Sequence, residues 1–204
     1  KATGKEKLKF VLSKEGETEP EKPSNPEKPE VKVASVKLAK TSYVYDGKVK
    51  KPGIVAKNNK GEKITSKDYT VKYAAGCKNV GTYTVKVTFK GDYKGTFTKT
   101  FNINPKGTSF SKVKAAKKSF TATWKKQSKQ TSGYQLQYST NKKFAKSVKT
   151  STISKNTTVK KTVKKLSAKK TYYVRVRTYK TVKVGKKSVK IYSGWSAAKK
   201  VKTK

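Results

Sequence analysis

The sequence predicts an all-β protein, with two tandem β-sandwiches behind a disordered or extended linker. Three observations carry this. Apolar residues alternate with polar ones at period two from Val31 onward. Turn residues such as Asp46-Gly47, Pro52-Gly53, Gly91-Asp92 and Gly185-Lys186 punctuate that alternation at strand-length intervals. No stretch of eleven residues has a helical period.

The elements follow in order. Within residues 1–13, Leu8, Phe10 and Leu12 alternate, as either the last strand of a preceding domain or a stub. Residues 14–30 hold four Pro, dense Glu and Lys and no aromatic residue. Such a segment cannot bury a core, and repeated Pro makes it an extended linker. A first module is expected over residues 31–104. Val31, Val33, Val36 and Leu38 begin it, and Tyr43-Val44-Tyr45 leads into the Asp46-Gly47 turn. Tyr69, Val71 and Tyr73 alternate, then Tyr83, Val85, Val87 and Phe89, then Phe97, Phe101 and Ile103. Pro105-Lys106-Gly107 is a short linker, because Pro and Gly stop a strand. A second module is expected over residues 108–204. Its strands center on Phe120-x-Ala122-x-Trp124, Tyr134-x-Leu136-x-Tyr138, Val159 to Leu166 and Tyr172-x-Val174-x-Val176. A hairpin turns at Gly185-Lys186, and a last strand is expected from Trp195 to Lys202. Seven strands in a module of this size fit a two-sheet sandwich.

Charge and composition exclude most chemistry. Residues 105–204 contain no Asp, Glu, His or Cys, yet hold 30 Lys and Arg. General acid–base catalysis draws on His, Asp, Glu, Lys, Tyr or Cys. Metals need carboxylate, imidazole or thiolate ligands. That half is left with amines, phenols and hydroxyls, so the chain is expected to be no enzyme and to need no cofactor or metal. Residues 1–30 are neutral and residues 31–104 carry +12. Of 53 basic residues only Arg175 and Arg177 are arginines. Lysine is a hydrated point charge, whereas arginine makes the planar forks that read bases. No sequence-specific nucleic-acid binding is therefore expected. No apolar run approaches a membrane span of about 18 residues, so membrane insertion is not expected. A single Cys excludes an internal disulfide framework. With no Met and no leader at Lys1, the chain reads as a segment of a longer protein.

The second module resembles the fibronectin type III family. The carriers are Trp124, Tyr134-x-Leu136-x-Tyr138 and the run from Leu166 through Tyr172-Tyr173-Val174-Arg175-Val176. That run matches the family's tyrosine corner, which implies a buried Tyr172 ring with its hydroxyl on a nearby backbone group. The usual Pro two residues after the Leu is Ala168. The first module resembles the bacterial Ig-like modules of Gram-positive surface and secreted proteins. It shares Tyr45-Asp46-Gly47-Lys48, Asp68-Tyr69-Thr70-Val71-x-Tyr73 and Asn79-Val80-Gly81-Thr82-Tyr83. Neither family is catalytic as a rule. The resemblances imply a secreted or cell-wall-associated spacer or accessory segment. Its partners would be other domains of the same polypeptide, and it is expected to be monomeric. The alternative is an adhesin-like binding module for a host protein, an anionic wall polymer or a glycan.

Candidate site residues follow from these readings. Trp124, Tyr134, Tyr138, Leu166, Tyr172, Tyr69 and Tyr73 are core markers. Arg175 and Arg177 share the strand face opposite Tyr172, Val174 and Val176. Tyr192-Ser193-Gly194-Trp195-Ser196 resembles the Trp-Ser-x-Trp-Ser box of fibronectin-type cytokine-receptor modules, where a Trp ring slots between guanidinium groups. That resemblance implies an Arg175–Trp195–Arg177 stack, read as a structural ladder or as a platform for a sugar or anion. Lys160, Lys161, Lys164, Lys165, Lys186 and Lys187 are candidate anion contacts, against the reading that exposed lysines only blunt sheet edges. Cys77 is expected in a loop, without a His to activate it. Asp46 and Asp92 are expected to cap their own turns. A Lys–Asn isopeptide bond stays open in residues 31–104.

Overall fold

The computed structural model describes residues 30–204. The strand and linker expected within residues 1–29 lie outside the described residues. Val31–Lys204 forms one unit, and within it lie two separate hydrophobic cores.

Around the first core, β1 (Val33–Leu38), β3 (Ile54–Asn58) and β4 (Lys63–Ile64) form a three-stranded antiparallel sheet. Facing it, β2 (Ser42–Val44), β7 (Thr96–Asn104), β6 (Gly81–Phe89) and β5 (Tyr69–Tyr73) form a second sheet. The chain changes sheets between β1 and β2, and β2 lies parallel to β7, with Tyr43 opposite Ile103. The alternation predicts β5, β6 and β7. It misses β3, whose exposed Val55 and buried Asn58 break the apolar alternation, and β4, which is only two residues long. A 3-10 turn, Ser66–Asp68, precedes β5, so Asp68 closes a turn rather than opening a strand.

Val85, Val87, Phe101 and Ile103 fill the center of this core. Tyr69 and Tyr73 are only half-buried, so they seal its rim rather than occupy its middle. The Tyr73 hydroxyl donates to the Pro52 carbonyl at 2.7 Å. A tyrosine can bury its ring and keep its hydroxyl paired, which suits the rim of a small core. The loop expected at Cys77 is present, and the residue is buried. It sits in a turn but packs into the core, and its Sγ donates to the Ala74 carbonyl at 2.9 Å. Burial pushes its thiol pKa up, which outweighs the lowering by Lys51. The buried Asn58 donates to Glu62 and Tyr93 and accepts from the Lys60 and Glu62 amides, fastening the β3–β4 hairpin.

Around the second core, β8 (Phe110–Ala116), β9 (Ser119–Trp124) and β12 (Lys160–Val163) form one sheet. The other contains β10 (Gly133–Ser139), β11 (Lys149–Ile153), β13 (Thr171–Val184), β14 (Lys187–Tyr192) and β15 (Lys199–Lys202). The strand of 14 residues, β13, pairs along one edge with β10 and along the other with β14 and then β15. The expected last strand from Trp195 is thus broken. Trp195 lies in an irregular bridge, and pairing resumes only at Lys199. Trp124, Tyr134, Phe120 and Leu136 fill the core, and Leu166, Tyr172 and Val201 close it. Tyr138 is half-buried and packs edge-on against Phe120 and Tyr172.

One hydrogen bond ties the linker to this sheet. Pro105 is buried. The buried Thr178 donates its hydroxyl to the Lys106 carbonyl at 2.8 Å.

Candidate functional site

The outer face of β13 carries the most organized polar group in the molecule. Tyr172, Val174 and Val176 point into the core, so Arg175 and Arg177 point outward by strand alternation. On β10, Gln137 stands opposite Arg175 and Gln135 opposite Arg177. Each guanidinium donates twice to its partner. Arg175 reaches Gln137 Oε1 through Nε at 3.0 Å and Nη2 at 2.7 Å. Arg177 reaches Gln135 Oε1 at 2.9 and 2.6 Å.

The guanidinium planes stack with aromatic rings. Trp195 lies 4.5 Å from Arg175 and 4.2 Å from Arg177. Phe144 caps Arg175 at 4.1 Å, and Tyr192 caps Arg177 at 3.8 Å. The ladder therefore runs Phe144, Arg175, Trp195, Arg177, Tyr192. Each contact contributes about 0.5–1 kcal/mol at an exposed site. Burial lowers both guanidinium pKa values, but an arginine keeps its charge at any physiological pH.

The backbone around the ladder is fixed on both sides. Where β14 leaves β13, Ser193 Oγ accepts the Thr178 amide at 3.0 Å and Ser196 Oγ accepts the Val176 amide at 3.1 Å. The amides of Ser193 and Ser196 donate to the same two residues' carbonyls. These four bonds hold the bridge against β13 without strand geometry, and so present Trp195 to the arginines. Phe144 occupies a left-handed conformation, φ 56°, that bulky residues rarely adopt. Asn141 braces its turn by accepting the Lys143 and Ala145 amides.

The sequence names Arg175, Arg177 and Trp195, and Tyr192 only as the first residue of the box, but not Gln135, Gln137 or Phe144. The glutamines do alternate outward between Tyr134, Leu136 and Tyr138, but only the β10–β13 register places them opposite the arginines. Tyr172 accepts the Ser167 amide at 3.2 Å across the turn before β13. Tyr179 is buried on the outer face, where its ring lies over Gly133 and its hydroxyl donates to the Ile153 carbonyl.

The candidate lysines do not gather in one place. Lys160 and Lys161 lie on β12, and Lys164 and Lys165 follow it in an exposed turn. Lys186 and Lys187 lie at the β13–β14 hairpin, which belongs to the other sheet. Among the described residues, no group of three His, Cys, Asp or Glu could hold a metal ion. Asp46 accepts the Lys48 amide at 2.8 Å and pairs with Lys50 Nζ. Its pKa falls below the usual carboxylate value, first through Lys50 and then through the Lys48 amide.

Residues 108–204 thus form a two-sheet antiparallel sandwich with a tyrosine corner and a stacked outer ladder. Residues 104–193 match the family model described as the fibronectin type III domain. That span is 90 of the chain's 204 residues. Trp195 and β15 lie beyond the matched span. Among solved structures, a segment of two fibronectin type III domains from chicken tenascin is similar at 14% identity and a TM-score of 0.45. The match covers 84% of this chain and 99% of that one. The first three fibronectin domains of chicken CNTN1 are similar at 20% identity and a TM-score of 0.38, over 61% of this chain and 43% of that one. A myokine structure is similar at 19% identity and a TM-score of 0.35, over 45% and 89%. No curated protein matches the chain.

Proposed function

We propose that residues 31–204 are two non-catalytic accessory modules, 31–104 and 108–204, joined by 105–107. They hold other domains of the same secreted or cell-wall-associated bacterial polypeptide at a set distance. The first module is read as bacterial Ig-like, on the motifs described above. The observation that carries the reading is the occupied ladder. The group that looks most like a ligand platform has two donors of each guanidinium on Gln137 or Gln135 and its planes between rings of the same chain. A free platform would leave those donors and faces open. The test is replacement of residues 31–204 in the parent polypeptide by an unrelated pair of sandwiches of similar length. A spacer survives the exchange with display of the neighboring domains unchanged; loss of an attachment activity would overturn it.

A second reading, attachment to an anionic wall polymer or glycan, is supported by the 30 basic residues that residues 105–204 carry without one carboxylate side chain. Binding carried by charge falls away by about half-molar salt, where the screening length shrinks to a few ångströms. Binding that survives such salt would point instead to a host protein held by an apolar patch.

A further inference from the structure

We propose a binding site for a linear, phosphate- or sulfate-bearing glycan or polyol polymer along β15 and the turn before β13. It gives a location to the polyanion reading and rests on it. A hollow of about 540 Å³ is lined by Lys169, Lys170, Lys200 and Lys202, with the hydroxyl-bearing Thr171 and Tyr173 at its base. In the β13–β15 register Lys202 stands opposite Thr171 and Lys200 opposite Tyr173. Tyr172 and Val174 face the core, so these four side chains share the outer face. Lys169 and Lys170 reach the same hollow from the turn, where Lys169 adopts φ 53°.

That turn is held in place by the end of β15. The buried Thr203 accepts the Lys170 amide at 3.0 Å and donates to the Ser167 carbonyl at 2.6 Å. Its own amide donates to the Lys170 carbonyl at 3.0 Å. The four ammonium groups therefore hang from a fixed frame and repel one another, with no carboxylate side chain in residues 105–204 to neutralize them. A bound anion relieves that repulsion.

Lys200 also lines a neighboring hollow of about 250 Å³, together with Lys199 and Lys112. Positive charge thus continues across β15 as a row, which suits an extended polymer better than one small anion. Lysines are point charges that set no planar geometry, so the site selects charge spacing and hydroxyl contacts. Tyr173 is the one ring in the larger hollow, whereas single-stranded nucleic acid is held on successive stacking rings.

The test uses the full chain and three fluorescent probes in anisotropy titrations at physiological salt: a glycerol phosphate oligomer, a sulfated oligosaccharide and a single-stranded oligonucleotide. The tighter of the first two identifies the ester. The variant K169Q/K170Q/K200Q/K202Q is expected to weaken that probe by at least about tenfold and to flatten its salt dependence. The variant K160Q/K161Q/K164Q/K165Q, with the same loss of charge, is expected to weaken it less than about threefold. All eight side chains are exposed, and circular dichroism checks that both variants fold. Equal losses would overturn the site but leave the polyanion reading. No binding by the unaltered chain would overturn both. Tightest binding of the oligonucleotide would overturn the ligand class.

Discussion

The two cores solve one packing problem differently. The core of residues 31–104 packs valines and Ile103 around one fully buried ring, Phe101, and closes its edges with half-buried tyrosines. Phe89 makes edge contacts with Tyr69, Tyr93 and Phe97 there. The core of residues 108–204 swallows its largest rings whole. Trp124 is 2% exposed, and Tyr134 is 0% exposed and donates its hydroxyl to the Asn156 carbonyl at 2.9 Å. A ring at the rim contributes part of its area and tolerates exchange. A ring at the center fixes the position of everything around it, because interiors are close-packed.

The sharpest way to break this contrast is to remove one central ring from each core. Trp124→Ala is expected to cost about 3–5 kcal/mol, and Phe101→Ala a comparable amount. In hydrogen exchange, each is expected to lower protection around its own core first. Joint loss from either variant would mean that the two cores unfold as one unit. Next comes Gly133→Ala. A Cβ there would lie 2.0 Å from the Ile153 carbonyl oxygen and 2.9 Å from the Tyr179 hydroxyl. Overpacking of this kind costs about 1–3 kcal/mol, read as a lower urea midpoint at unchanged slope. Trp195→Ala removes two cation–π contacts and is expected to cost about 1–2 kcal/mol. Arg177→Lys keeps the charge but loses the plane, so a cost near that of Trp195→Ala would assign the effect to stacking rather than charge. The smallest effect is that of Tyr172→Phe, about 1 kcal/mol, since it deletes only the acceptor of the Ser167 amide.

The sequence makes a strand legible where alternation is long enough. That covers β5, β6, β7, β9, β10 and most of β13. It also marks Trp124, Leu166 and Tyr172, because large apolar residues at fixed intervals have few places to go. It misses β4, which has two residues, β11, which is mostly Lys, Ser and Thr, and β3 and β8, whose apolar residues do not keep a strict period of two. Cys77 is hidden because a turn residue buried from outside the strand pattern follows no period. The change of sheet at β2 and the break before β15 are invisible, since both depend on which strand the backbone finds next. For the same reason Gln135 and Gln137 could not be assigned to the ladder, and Lys169 and Lys170 could not be joined to Lys200 and Lys202. Those two pairs are separated by about 30 residues of chain and meet only through Thr203 and the β13–β15 register.

The buried phenols have a consequence for how protons bear on stability. Tyr134, Tyr138 and Tyr179 have raised pKa values, with burial the first cause. A raised phenol contributes stability that is complete below its unfolded value, about 10, and is lost as pH climbs through its folded value. Residues 105–204 offer no Asp, Glu or His, so no side-chain carboxylate or imidazole there couples stability to pH between about pH 4 and pH 9. Their stability is therefore expected to stay level across that window and to decline only in alkali. Residues 31–104 carry Asp46, whose lowered pKa works in the opposite sense. Its contribution is present above the unfolded value, about 3.9, and is lost as pH falls through the folded one. Acid therefore acts through Asp46 on one half of the chain and meets no carboxylate or imidazole side chain in residues 105–204.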